Sequence, residues 1–183
     1  ISLGAYYIDR FEVTNQAFKT LFPEHKYSEG QENLPAMGVS WTQALRYCEA
    51  VGKRLPSEAE WEKGARGPEG REYPWGEVFD PAMANTLEAG VGTPTRVGNF
   101  YISASVYGCM DMAGNAYEWV MDWYEAYPGN QYVTKDYGQI FRVLRGGSYL
   151  TGKFEARCPA RHFDRMDAKR RDYGFRCAMD ARE

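Results

Sequence analysis

The stretch 37-MGVSWTQALRYCEAVGKRLPSEAEWEKGARG-67 carries the readings that decide the fold. Ser40 is followed three residues on by Gln43, and Ser57 by Glu60. Both fit the S-x-x-[EQ] box, in which a hydroxyl and a side chain satisfy the orphan amides of a first helical turn. The spacing predicts two helices in quick succession. In the first, Trp41, Leu45 and Cys48 recur at i, i+4 and i+7, which lays an apolar face toward a core. Gly52 ends it, as a glycine past the last turn does.

Upstream, alternation over residues 5–12 predicts a strand, and Thr14 is placed to cap a short helix through Ala17 and Phe18. A polar loop is expected over 23–35. Beyond Gly67 the turn signals crowd together at Gly70, Pro74-Trp75-Gly76, Gly90, Gly92 and Pro128-Gly129-Asn130. Only short strands fit between them, over 119–123, 141–144 and 174–178. Loops this long need ions, disulfides or aromatic anchors to order them; five tryptophans and fourteen tyrosines supply the last.

Bulk properties set limits on function. The chain has 183 residues, 44% of them hydrophobic, enough for one well-buried core. No repeat or linker composition interrupts it, so a single domain over 1–183 is expected. A formal net charge of -3 offers no basic stripe for a phosphate backbone, and nucleic acid is not an expected partner. No run of eighteen apolar residues exists, so no membrane span is expected. No basic-then-apolar leader opens these residues, and an exported protein would carry that segment elsewhere.

Cys48, Cys109, Cys158 and Cys177 lie far apart with no C-x-x-C spacing, which argues against a zinc knuckle or a thioredoxin-type pair. One or two disulfides in an oxidising compartment and four buried thiols in a reducing one both fit.

Among polar clusters, 108-GCMDMAGNAYEW-119 stands out. Asp111, Asn115 and Glu118 surround two turn-forming residues, a set that suits a hard cation such as calcium, with an Asx-turn and helix cap as the competing reading. It is not an EF-hand, whose ligand spacing is absent. A Ser-His-Asp triad has only His25 and His162 to draw on, and Ser148 sits in G-G-S-Y rather than a G-x-S-x-G elbow. His162 either pairs with Ser148 or a carboxylate, or is structural. Two histidines are also too few for the usual iron or zinc centre. Arg165, Lys169, Arg170 and Arg171 alternate with Asp164, Asp167 and Asp172, which reads as a solvated, salt-bridged face.

Taken together, YIDRFEVTN, VSWTQALRYCEAVGKRLPSEAEWEKGARG, YPWGE, Ala84-Asn85, YGCMDMAGNAYEW, RVLRGGSY and YGFRCA resemble, in order, the formylglycine-generating enzyme family, also called sulfatase-modifying factors. The resemblance runs from Tyr7 to Ala178. It implies an α+β, C-type-lectin-like fold of low regular secondary structure, with short antiparallel strands, two or three helices and long ordered loops. Family members open with a glycine-rich G-G-x-F-x-M-G strand that these residues do not contain, which leaves a sheet edge expected to need another chain.

Family enzymes oxidise a sulfatase cysteine using copper(I) held by two thiolates, soft ligands that the metal requires. The matching positions here are Thr151 and Ala156, so the resemblance implies that copper is not bound and formylglycine is not made. Cys158 instead falls in the family's R-x-A-A-R strand, at 157–161. Ser148 is kept from the active-site region, and a family tryptophan is replaced by Tyr117. The cleft is expected to be lined by Ser148, Tyr117, Thr151, Glu155, Arg161 and His162. The resemblance also implies calcium at Asp111, Gly114, Ala116 and Glu118, and part of a second site at Asn85 whose aspartate partner is not evident. Cys48 and Cys177 match a family disulfide. Cys158 matches half of another whose partner position is Ala65, so Cys109 pairs with it only if the fold brings them together.

The function expected on this basis is a non-catalytic scaffold or accessory subunit that binds a protein partner in an exported, periplasmic or extracellular complex. Two readings stay open beside it: a periplasmic oxidase acting on a peptide or small molecule without cysteine-bound copper, and a true formylglycine generator using Cys158 with another cysteine. The sulfoxide synthases of the family use iron held by histidines of a separate helical domain, which this chain lacks.

Overall fold

Both capping boxes form in the computed structural model, which describes residues 1–181. Ser40 opens α2 (Trp41–Ala50), accepting from the Gln43 amide, while Gln43 reaches back to the Ser40 amide. Ser57 and Glu60 do the same for α3 (Glu58–Arg66). Earlier in the chain, β1 (Tyr6–Ile8) leads to α1 (Asn15–Lys19), capped by Thr14 as predicted. Gly52, at φ +73°, adopts the left-handed geometry that stops α2.

The remaining strands are β2 (Tyr117–Trp123), β3 (Arg142–Arg145), β4 (Arg161–Asp164), β5 (Tyr173–Gly174) and β6 (Ala178–Asp180). They build a four-stranded sheet in the order β4-β3-β2-β5 and a two-stranded one of β1 and β6. All pairings are antiparallel except β2 with β5, where Tyr117 lies opposite Tyr173 and Glu118 opposite Gly174. The architecture is the mixed, loop-rich α+β fold expected.

Three local expectations are corrected. The first strand covers only Tyr6–Ile8, because beyond it the Asp9 and Val13 amides reach the carbonyls of Cys177 and Phe175 singly, without a continuing ladder. The strand expected over 174–178 breaks into β5 and β6, since the two halves pair with different partners, β2 and β1. Residues 157–160 form a turn, and the strand there starts at Arg161.

Strand β2 is the spine of the core. Trp119 joins Phe18, Tyr47, Leu144 and Phe175 on one side, while Val120 joins Trp61, Val143, Cys109 and Cys158 on the other. Adjacent residues on a strand face opposite sides, so burial of both faces turns its first four positions into a continuous buried run. Each fully buried large apolar side chain contributes roughly 1.5–3 kcal/mol. Arg142 bridges α2 and β2 between the rings of Trp41 and Trp123, 3.7 and 3.4 Å from their centroids. Among the described residues no helix is long and apolar enough to cross a membrane.

Candidate functional site

The turn after β3 builds one wall of the cleft. Gly146 and Gly147 both take positive φ, and a Cβ on Gly147 would press on the Ala156 amide and the Thr151 hydroxyl. That crowding folds 146–151 into a closed knot. The Ser148 amide donates to Thr151 Oγ1 at 2.8 Å, the Leu150 amide donates to Ser148 Oγ at 3.2 Å, and Ser148 Oγ donates to Asp172 Oδ2 at 2.7 Å. Ser148 is fully buried, with its hydroxyl engaged as donor and acceptor. It is a structural pin rather than a free nucleophile.

His162 is equally committed. Its Nε2 lies 2.7 Å from the Tyr173 hydroxyl, and its ring stacks on Tyr117 at 4.8 Å. Burial holds its imidazole below the ordinary value, so the neutral form prevails near neutral pH. The pairing with Ser148 left open by the sequence does not form. Tyr117 has its phenol pushed up to about 12, by burial first and by Glu155 next.

Arg161 is held from both sides. Its Nε and Nη2 donate to the two Glu58 oxygens at 2.7 and 2.9 Å, and its guanidinium lies over Tyr124 and Tyr127. Glu58 also receives the fully buried Arg145. The structure brings three of the six expected cleft residues, Tyr117, Glu155 and Arg161, around a cavity of about 220 Å³ shared with Phe154, Arg157 and Ala160. Ser148, Thr151 and His162 lie outside its lining. Larger cavities of about 510 and 650 Å³ open beside α3, where Arg161 and Glu58 also line the wall, and along β1. Phe154, 63% exposed, and Arg157 were not singled out from the sequence; no local pattern marks a phenylalanine left in solvent.

No thiol faces this cavity. Cys109 and Cys158 are buried in the same apolar cluster, and burial raises both thiols, that of Cys158 to about 12. Cys48 and Cys177 meet across the other cluster with sulfurs 3.1 Å apart. Thr151 is hydrogen-bonded to the Ser148 carbonyl and Ala156 is buried, and neither residue offers sulfur.

The expected calcium loop is formed but differently loaded. Asp111 and Asn115 sit at φ +58° and +64°, and Asp111 Oδ2 accepts the Gly98 amide at 2.6 Å. Gly114 lies so close to the Asn85 carbonyl that a side chain would overlap it. Both Glu118 oxygens are engaged: Arg176 donates to each at 2.6 Å, and Trp61 Nε1 to one at 2.8 Å. Among the described residues, the buried side-chain oxygens without partners are Glu12 Oε2, Asn85 Oδ1 and Thr86 Oγ1. Among the described residues no three His, Cys, Asp or Glu side chains group to hold a metal. An ion here would therefore draw on one or two carboxylates with amide and carbonyl oxygens, the donor set of a hard cation.

This geometry is a lectin-like scaffold with a tightly wired, thiol-free cleft. Residues 1–181 match the sulfatase-modifying factor enzyme 1-like domain, and the chain belongs to that family. It is 40% identical, over an alignment of 216 residues, to the serine/threonine-protein kinase Pkn1 of Chlamydia trachomatis, covering all of this chain and 34% of the kinase. It is 34% identical to the formylglycine-generating enzyme of Mus musculus, over 82% of this chain and 45% of the enzyme. The inactive C-alpha-formylglycine-generating enzyme 2 of Bos taurus is 35% identical over 81% of this chain and 51% of its own. The chain thus spans about a third to a half of these relatives. Its fold is similar to that of Treponema denticola variable protein 1, with TM-score 0.86 at 22% identity, over 99% of this chain and 86% of that one. PvdO of Pseudomonas aeruginosa shares it with TM-score 0.76 at 23% identity, covering 96% and 80%.

Proposed function

We propose that this domain is a non-catalytic member of its family, an accessory scaffold whose cleft around Tyr117, Phe154 and Arg161 holds a protein partner in an exported complex. The observation that carries the reading is the cleft itself. Four of the six residues expected to do chemistry there are tied into the fold: Ser148 by Asp172, Thr151 by Ser148, His162 by Tyr173 and Arg161 by Glu58. A nucleophile or base has to be free to change partners during a reaction. A binding surface gains from fixed groups, because rigid side chains lose less entropy on association.

Relatives that carry such a domain alongside additional chain, one named a kinase and one an inactive enzyme, support a role as a module within a larger protein. A structural calcium ion at the Asp111 loop belongs to the same proposal, as does a Cys48–Cys177 bridge formed in an oxidising compartment. Copper(I) titration followed by thiolate-to-metal absorption tests the absence of the oxidase chemistry. The expected result is no complex with two thiolates at the cleft, because the thiols present are buried and protonated. A stoichiometric, cysteine-bound copper with turnover of a sulfatase-type cysteine peptide overturns it. Partner binding is checked separately by substituting Phe154→Ala, which should weaken association in the native complex and leave thermal stability unchanged, as its ring is exposed.

A further inference from the structure

Arg142 is a cation that the fold leaves without an acid. Its guanidinium lies between the rings of Trp41 and Trp123, and its one polar partner among the described residues is the Met121 carbonyl, which accepts from Nη1 at 2.5 Å. Nε is buried with nothing to donate to, while Nη2 has no partner among the described residues and is not buried. Burial lowers the guanidinium to about 10, so it stays charged at neutral pH. The acid nearest to offsetting it, Asp122, makes no bond to it and accepts the Glu58 amide instead. Stacking explains the side chain as a strut between α2 and β2, yet leaves its outward edge of donors unexplained. A guanidinium covered on both faces has lost hydration that an acceptor in its plane restores.

The turn that follows β4 adds to this positive edge. Of the salt-bridged face expected over 164–172, one ion pair forms among the described residues, Arg170 Nε to Asp164 at 3.2 Å. Arg165, Lys169 and Arg171 are exposed with no carboxylate at ion-pairing distance among the described residues. Asp172 is turned inward to Ser148, which leaves Asp167 as the acid set against them on the turn. Three contacts bring the turn to Arg142. Asp164 lies opposite Arg142 in the β3–β4 register, Arg165 lies over the Phe141 ring at 6.0 Å, and Ala168 packs against the cluster that contains Trp41. In a chain of net charge -3, cations gathered at one place run against the overall balance.

We infer that Arg142 and the exposed cations of the 165–171 turn form a docking surface for an acidic segment of a partner protein, with an aspartate or glutamate carboxylate seated at the open edge of Arg142. The two indoles hold the guanidinium plane, so the fork meets a carboxylate with little further ordering. Arg165, Lys169 and Arg171 surround it as solvated charges that speed encounter and select an acidic sequence. Asp164 and Asp167, interspersed among them, disfavour the unbroken negative charge of a phosphate backbone. The surface sits at the far end of β4 from Arg161 and uses no residue of the cleft around Tyr117 and Phe154, so either surface can fail without the other.

The test uses the whole chain and two labelled probes of equal length, hexaglutamate and hexaglutamine, followed by fluorescence anisotropy at low salt. Saturable binding of hexaglutamate alone is expected, weakening as salt is raised to about 0.5 M. Tryptophan emission should change as it binds, because Trp41 and Trp123 flank the guanidinium. Lys169→Glu combined with Arg171→Glu alters exposed side chains, and should weaken binding at least about tenfold at an unchanged melting temperature. Arg142→Lys keeps the charge and loses the fork, and should weaken it by a similar factor. Arg96→Glu, at an exposed cation on another loop, should bind as the parent does. Equal affinity for the two peptides overturns the inference, as does binding with no change in tryptophan emission. Binding that the reversal at 169 and 171 leaves unchanged, or that Arg96→Glu weakens as much, overturns it too. Displacement by inorganic phosphate but not by sulfate at equal ionic strength would assign the edge to a phosphoryl group, and overturns the reading as an acidic segment.

Discussion

His162 shows how a residue suited to catalysis becomes a sensor of stability instead. Its ring is enclosed by Tyr117 and Tyr173, and burial holds it below the ordinary imidazole value. The unfolded chain then binds a proton that the folded chain resists. Its contribution is fully present above the unfolded value, near 6.5, and is lost as pH falls through the lower folded one. Glu12 acts in the opposite sense, since a raised carboxyl stabilises the fold on the acid side of its folded value. Subtraction separates the two. Urea unfolding of the parent and of His162→Phe should show a gap in stability that narrows as pH is lowered from neutral toward 5, about the onset of carboxylate titration. A gap that stays constant across that window would show His162 free to protonate in the fold.

At the scale of elements, glycine placement decides whether the 111–118 segment can close. Gly114 combines φ +77° with a close approach to the Asn85 backbone, where an isolated parallel bridge forms between the two residues. Gly114→Ala is therefore expected to cost more than about 1 kcal/mol, beyond the usual penalty for a side chain at positive φ, because the neighbour is backbone and does not yield. Gly30→Ala, at φ +83° with open space around it, supplies the comparison and should cost less in the same thermal melt. The contrast also explains what was legible in the sequence. Helices α1 to α3 were readable because Thr14, Ser40 and Ser57 cap them within three residues and the apolar face repeats locally. The break between β5 and β6 was not, because it depends on partners more than fifty residues away or at the opposite end of the chain. The cleft divided in the same way: Tyr117, Glu155 and Arg161 were named, but the Ser148–Asp172 and Glu12–Asn115 contacts join residues 24 and 103 positions apart, and no spacing rule reaches that far.

Across the whole molecule, the Cys48 and Cys177 thiols meet between α2 and the segment leading into β6, and a bond between them would join positions 129 residues apart. With the sulfurs 3.1 Å apart, forming the bond asks little of the native state. Its effect would fall on the unfolded chain, where closing a loop of that length removes about 4–5 kcal/mol of conformational freedom in the entropic account. Oxidation releases two protons and two electrons to an external acceptor, such as a small-molecule disulfide. Protein recovered from its source under denaturing conditions with alkylation but no reduction should then show two modified cysteines, Cys109 and Cys158, and a bridged 48–177 peptide. The reduced chain should melt well below the oxidised one. Four alkylated cysteines from the source would place the chain in a reducing compartment, remove the largest single restraint on its loops, and count against an exported scaffold while leaving its fold intact.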